Sequence, residues 1–271
     1  MNLLQKFRQA PTTALELKNN IFLPYEKEKK EPIENLVIWD ILKIRVTING
    51  YKLNQLHRDI LDIALYYGDS SLEEKTIDNQ PVRLISLYEI QKHLNYKSRF
   101  NNKWLDEKMQ ELKRTTINIK IDGEGWAEFN IIDIAKYSEK QKKYAIVISK
   151  WYMMFFEKEI SIGYKEYLEI ILSLKNPQSK ALVRYVLTYS NDFNIDLDKA
   201  MQYIGIDKNR MTPQNFRWNR SKILEDEDKL RQLNIKLIKK SNDNRKKDYL
   251  IKYKRLPKIK IYFPQKEKIG K

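Results

Sequence analysis

The sequence predicts an α+β fold of two tandem winged-helix domains, each a helix-turn-helix followed by a β-hairpin. Three observations predict it. Apolar residues at helical spacing give way to period-two stretches in one fixed order, helices first and hairpin after. That order occurs twice along the chain. The 271 residues suffice for two modules of ordinary size, and 42% hydrophobic residues can supply their cores.

Taken in order, residues 1–35 read as a flexible N-terminal arm, because the charge run Lys27–Glu31 between Pro24 and Pro32 has no helical or strand period. Residues 36–150 form the first winged-helix domain. Leu36–Trp39 and Ile41–Ile48 are apolar and β-branched, ending at the turn Asn49-Gly50. Leu53, Leu56, Ile60, Leu61 and Ala64 mark a helix that Gly68 stops. Residues 69–81 read as a loop, after which Ser86 and Glu89 make a capping box for a short helix lined by Leu87, Ile90 and Leu94. A polar turn, 95–101, leads to a third helix carrying Trp104, Leu105, Met109 and Leu112. Thr115–Ile121 and Trp126–Ile134 then read as the hairpin around Asp122–Gly125, with Tyr144–Ser149 as a third strand.

Residues 151–175 are a connecting segment, and 176–271 are the second winged-helix domain with a basic C-terminus. Asn176-Pro177 breaks the chain ahead of a helix with Ala181, Leu182, Tyr185, Val186 and Tyr189 on one side. Asp196 caps a short helix ended by Gly205. A longer helix starts near Thr212-Pro213, with Phe216, Ile223 and Leu230 in one stripe. Ile235–Ile238 and Tyr249–Tyr253 are the second hairpin, and Lys258–Phe263 offers a further strand.

Lys and Arg total 52 against 36 acidic residues, a net charge of +16, which suits a polyanionic partner. From Asn234 to Lys271 the chain holds fourteen Lys/Arg and three Asp/Glu, so most of the excess sits in the C-terminal portion. There is no cysteine, which excludes disulfides and thiolate metal sites. No apolar run approaches the roughly 18 residues of a membrane span. The reading is a soluble, cytoplasmic protein with double-stranded DNA as partner and no membrane contact.

In a helix-turn-helix the third helix enters the major groove, while wings and turns grip phosphates. In the first domain this nominates Lys97, Ser98, Arg99, Asn101, Asn102 and Lys103; in the second, Gln214, Asn215, Arg217, Arg220, Ser221 and Lys222. Asn pairs with adenine and Arg or Lys with guanine. Lys239, Lys240, Arg245, Lys246 and Lys247 in the second hairpin are candidate phosphate contacts. Trp218 reads as a packing residue, and the run Trp151–Phe156 as core rather than a base-stacking platform. Catalytic residues, metal ligands and cofactors are not expected. There is no phosphate loop, and the only histidines, His57 and His93, stand on separate helices.

The segment Ile48–Leu53, the helix Leu56–Tyr67, Leu84–Ile90, Trp104–Leu112 and Thr115–Ile121 together resemble the first half of theta-type plasmid replication initiators, the TrfA-like branch in particular. Ser179–Leu187, Ile195–Gly205 and Phe216–Leu233 look like that family's second winged helix. The resemblance implies a protein that binds directly repeated origin sites (iterons), helps open an adjacent AT-rich segment and recruits the host replicative helicase and initiation proteins. It implies no ATPase activity, a homodimer formed through the first domain, and a monomer as the DNA-binding form. Competing readings are a tandem winged-helix transcriptional regulator and, from another class, a metal-dependent nuclease.

Overall fold

The computed structural model describes residues 2–18, 21–24, 32–41, 43–71, 80–94, 102–123, 125–240 and 248–264. Residues 2–18, expected as a flexible arm, are instead folded into the core. Helix α1 (Leu3–Gln9) starts from a capping box in which the Asn2 side chain accepts from Gln5 N at 2.8 Å and Gln5 accepts from Asn2 N at 3.3 Å. Strand β1 (Thr12–Thr13) and helix α2 (Ala14–Lys18) follow. Phe7, Leu15 and Leu17 are buried, with the Phe7 ring 5.1 Å from that of Phe156. These apolar anchors hold the segment; the charge run Lys27–Glu31 lies outside the described residues.

Strands β2 (Ile33–Ile41) and β3 (Ile44–Gly50) form an antiparallel pair. Gly50 is required at its end, since its φ is +102° and a Cβ there would lie 2.2 Å from the Arg114 carbonyl oxygen. Helix α3 (Gln55–Tyr67) is capped by Asn54, which accepts from Leu56 N at 3.1 Å. Strand β4 (Val82–Ser86) precedes α4 (Leu87–Leu94), whose capping box is the one the sequence predicts: Glu89 accepts from Ser86 N at 2.7 Å and Ser86 Oγ from Glu89 N at 3.2 Å. In helix α5 (Asn102–Arg114) Leu105, Met109 and Leu112 face the core.

The expected first hairpin forms, as β5 (Thr116–Ile121) and β6 (Gly125–Asn130), but it is not the wing. It joins the opening strands in a four-stranded sheet of order β2-β3-β5-β6. The stretch expected as one strand over 126–134 divides at buried Ile131, where the chain leaves this sheet. The wing is the next hairpin, β7 (Ile132–Ser138) and β8 (Lys143–Ile148), which joins β4 in the order β4-β8-β7. Period-two alternation gave the strands but not their partners.

The connecting segment carries structure of its own. In α6 (Lys150–Lys158) Tyr152, Met153 and Phe156 turn inward while Trp151 and Met154 stay exposed, so only half of that aromatic run is core. Strand β9 (Ser161–Gly163) and helix α7 (Leu168–Ser173) complete it. The second module then runs through α8 (Pro177–Val186), β10 (Phe193–Asp196), α9 (Leu197–Tyr203), α10 (Pro213–Leu224), α11 (Glu227–Gln232), β11 (Ile235–Lys239) and β12 (Tyr249–Tyr253). The helix expected to continue past Ile223 breaks at Asp226, whose carboxylate instead accepts from the backbone N–H groups of Lys175 (3.1 Å) and Asn176 (3.0 Å) at the start of α8.

The second sheet has the order β10-β12-β11, which is the order of β4-β8-β7. Each module thus runs helix, strand, two helices and hairpin, with β5–β6 interposed before the wing of the first and α11 before that of the second, and with the last strand inserted between the first and the second. The protein is two winged helices in tandem. The last strand, β13 (Lys260–Tyr262), does not extend the second wing; it pairs with β9, which pairs with β1 on its other side. Gly163 admits this three-stranded clasp, because a Cβ there would lie 2.0 Å from the Gln9 carbonyl oxygen. Among the described residues no helix is long and apolar enough to cross a membrane.

Candidate nucleic-acid interface

In the second module the third helix, which the sequence reading expects to face the groove, is α10. Thr212 caps it by accepting from Asn215 N at 3.2 Å, and Pro213 occupies its first turn, where a missing N–H costs nothing. Phe216, Asn219 and Ile223 are buried. The polar member of this inner stripe is satisfied: Asn219 Oδ1 accepts from Gln178 Nε2 on α8 at 2.8 Å, and its Nδ2 donates to the Asn215 carbonyl at 2.9 Å.

With that face fixed inward, Gln214, Arg217, Trp218 and Ser221 fall at i, i+3, i+4 and i+7 on the outer face, and all four are exposed, as is Asn215. Trp218, expected to pack, is 51% exposed, with Lys222 Nζ 5.8 Å from its ring centroid. Lys222 also donates to Glu225 at 2.7 Å, a hydrogen bond that holds the Glu225 carboxyl below its ordinary pKa. Arg220 is set differently from its neighbours. Its guanidinium donates to both carboxylate oxygens of Asp198 on α9, at 2.5 and 2.6 Å, and lies 5.2 Å from the Phe216 ring centroid. It braces the two helices of the helix-turn-helix against each other. Lys239 and Lys240 are exposed at the end of β11, with Lys240 paired to Asp196; Arg245, Lys246 and Lys247 lie outside the described residues.

In the first module the corresponding helix is α5. Lys97, Ser98, Arg99 and Asn101 lie outside the described residues, as does the side chain of Asn102, while Lys103 is exposed in the first turn. The outer face of α5 continues with exposed Asp106 and Glu107. Buried Lys108 donates to Glu111 at 3.0 Å, and Glu111 meets Nε2 of buried His57 at 2.6 Å. Burial works against charge on Glu111, but its hydrogen bonds to His57 and Lys108 prevail and hold it below the usual carboxylate value. His57 therefore ties α3 to α5. His93 stacks on Tyr67 with centroids 4.0 Å apart and meets Glu169 at 2.7 Å. Among the described residues no group of three or more His, Asp or Glu is placed to hold a metal ion.

The wing that the sequence reading missed adds a basic surface. Strand β7 packs against α5, and the turn from β7 to β8 exposes Lys140 and Lys142, with Lys136 exposed on β7. The signal was present as Glu139-Lys-Gln-Lys142 between two alternating stretches, masked by reading residues 126–134 as one strand.

No family model matches the chain, and no curated protein sequence matches it. Solved structures do. Domains 2 and 3 of RctB superpose with a TM-score of 0.57 at 10% identity, over 90% of this chain and 98% of that one. The fold is shared. A crystal structure of Pi initiator protein in complex with iteron DNA is similar over 74% of this chain and 91% of its own, at 15% identity and a TM-score of 0.48. At these identities the likeness is one of fold.

Proposed function

We propose that the chain is a sequence-specific double-stranded DNA-binding protein that initiates replication by binding repeated sites at an origin, without catalytic activity of its own. The observation that carries this reading is the outer face of α10, where Gln214, Arg217, Trp218 and Ser221 stand exposed with no acid among them on a helix whose other face is locked into the core. Such a face meets the demands of major-groove readout, in which Arg and Gln side chains pair with base edges. The first module holds the duplex beside it through Lys103, Lys136, Lys140 and Lys142, and through Lys97, Ser98, Arg99, Asn101 and Asn102. The second wing, with Lys239, Lys240, Arg245, Lys246 and Lys247, grips phosphates. Arg220 serves this surface by positioning α10, and Lys222 adds a cation beside Trp218.

Two such modules in tandem suit a repeat about two helical turns long, at roughly 34–36 Å per turn. The pattern shared with theta-type initiators supports origin opening, recruitment of the host replicative helicase and a homodimer that yields monomers on DNA; the cytoplasm is where these steps occur. The test is binding of the purified protein to the repeat-bearing duplex from its own replicon and to a scrambled duplex, across a salt series. A specificity ratio of roughly 10³–10⁷ supports the reading. Equal and steeply salt-dependent binding to both duplexes rejects it.

A further inference from the structure

Helix α3 opens the first module and α8 the second, and the two pack together. Their meeting surface is charged. Arg184 on α8 donates to three groups on α3: Gln55 Oε1 at 2.5 Å, Asp59 Oδ1 at 2.6 Å and Asp62 Oδ2 at 2.8 Å. Lys180, one turn earlier, donates to Asp59 Oδ2 at 2.5 Å. Gln55, Asp59 and Asp62 stand at i, i+4 and i+7, so one stripe of α3 meets two successive turns of α8.

The network continues away from α8. Asp62 also accepts from Arg58 at 2.5 Å and from the Tyr164 hydroxyl at 2.9 Å. Arg58 donates to Glu16 Oε1 at 3.1 Å and to Thr12, and Glu16 accepts from the Tyr152 hydroxyl at 2.6 Å and from Thr13 N at 2.7 Å. The N-terminal segment, the first module, the connecting segment and the second module thereby share one set of hydrogen bonds. Three cations (Arg58, Lys180, Arg184) face three carboxylates (Glu16, Asp59, Asp62), and all of these but Lys180 are at most 3% exposed. Burial disfavours charge on Arg184, but Asp59 and Asp62 more than offset it, and its pKa lies above the ordinary arginine value.

An apolar seam between two helices tolerates sliding and rotation, because its contacts are not directional. A buried network of charged hydrogen bonds does not. Any shift of register strands a charge without a partner, and that penalty is large. Neither α10 nor the first wing takes part in this network, so its role is not DNA contact.

We propose that this ion network locks the two winged helices into one rigid reader and thereby sets the spacing between the two DNA segments that the protein accepts. The spacing claim rests on the DNA-binding function proposed above; the rigidity claim does not. Gln55, Asp59, Asp62 and Arg184 are positioning residues, acting on DNA only through the placement of α5 and α10.

The absence of cysteine lets spin labels be placed at chosen sites. Tyr88→Cys on α4 and Lys236→Cys on β11, both exposed, report the distance between modules by double electron–electron resonance. The same pair is measured in the triple variant Asp59→Asn/Asp62→Asn/Arg184→Gln, which removes every charge across the α3–α8 seam except that of Lys180. It is measured again in Arg184→Lys, which keeps the charge but loses the fork that spans three acceptors; this milder variant carries the test if the triple variant does not fold. A duplex selected from a random library by the parent protein is compared with the same duplex carrying half a helical turn, about five base pairs, between its two contacted segments.

The parent is expected to show one narrow distance and to lose roughly 10²–10⁴-fold in affinity on insertion, the loss of one of two linked contacts. The variants are expected to show a broadened distance and a penalty at least tenfold smaller. A variant distance as narrow as the parent's, with the full penalty retained, overturns the lock. If the parent selects no sequence at all, the DNA-reading function falls, and the distance measurement alone decides the lock: a broad parent distribution overturns it.

Discussion

The two modules share a topology and differ in what their third helices present. Helix α10 carries three cations and no acid, whereas α5 carries four cations and three acids. Two of those acids, Asp106 and Glu107, are exposed in mid-helix, where a duplex would meet them, and the third, Glu111, is committed to Lys108 and His57 inside the fold. A carboxylate facing phosphate or a guanine edge is repelled, so the α5 face is suited to the groove only near its first turn, at Lys103. The exposed cations of this module lie instead on its wing, at Lys136, Lys140 and Lys142. The proposed function therefore assigns base reading to the second module and a backbone grip to the first. Phosphate contacts position a protein, and base contacts specify the sequence.

The largest expected effect lies where the modules are joined. Arg58→Ala leaves Asp62 and Glu16 buried without their partner and is expected to cost about 3–5 kcal/mol, read from urea unfolding. Because Arg58 holds Asp62, which also accepts from Arg184 on α8, unfolding of both modules should move together. Loss confined to one module would break the picture of a joined pair. Next comes Arg217→Ala, expected to cost about 1–3 kcal/mol of specific binding while leaving the fold intact. Asp106→Asn/Glu107→Gln on α5 should move affinity the other way, strengthening binding to every sequence by about the size of an exposed charge interaction, under 1 kcal/mol each. No change in gel-shift affinity would mean that α5 lies away from the duplex.

Glu111 sharpens the comparison through pH. Its folded pKa is depressed, so its contribution to stability is present above the ordinary glutamate value of about 4.3 and is lost as pH falls below it through the folded value. Glu111→Gln should therefore flatten the acid limb of the stability curve; an unchanged acid limb would show that the His57–Glu111 contact contributes nothing.

The residues show why some of this was legible in the sequence and some was not. Caps are local, so Ser86 with Glu89 marked α4 from four residues alone. The helical stripes of α5 and α10 were legible for the same reason. Strand partners are not local: Thr116–Ile121 was visible as a strand, but nothing in its alternation says that it pairs with β3 rather than forming a wing. The N-terminal segment looks like an arm in the sequence because its anchors are few, Phe7, Leu15 and Leu17, and because Glu16 is buried only by virtue of Arg58, Tyr152 and Thr13, which lie elsewhere in the chain or in a local turn. The type of Trp218 suggests packing, whereas its phase on α10, one residue before buried Asn219, sends it outward. The position of Arg220 on α10 suggests a DNA contact, but Asp198, twenty-two residues away in sequence, holds its guanidinium.

The most direct measurement compares Arg217→Ala with the double variant Lys140→Ala/Lys142→Ala, each titrated on the repeat-bearing duplex and on a scrambled one across salt. The division of labour predicts that Arg217→Ala weakens only specific binding, by about 1–3 kcal/mol, and leaves the scrambled duplex unchanged. The wing variant should weaken both duplexes alike and reduce the salt slope by about one per lysine removed. Equal losses on both duplexes for Arg217→Ala, or a sequence-selective loss for the wing variant, would contradict the assignment of reading to the second module and gripping to the first.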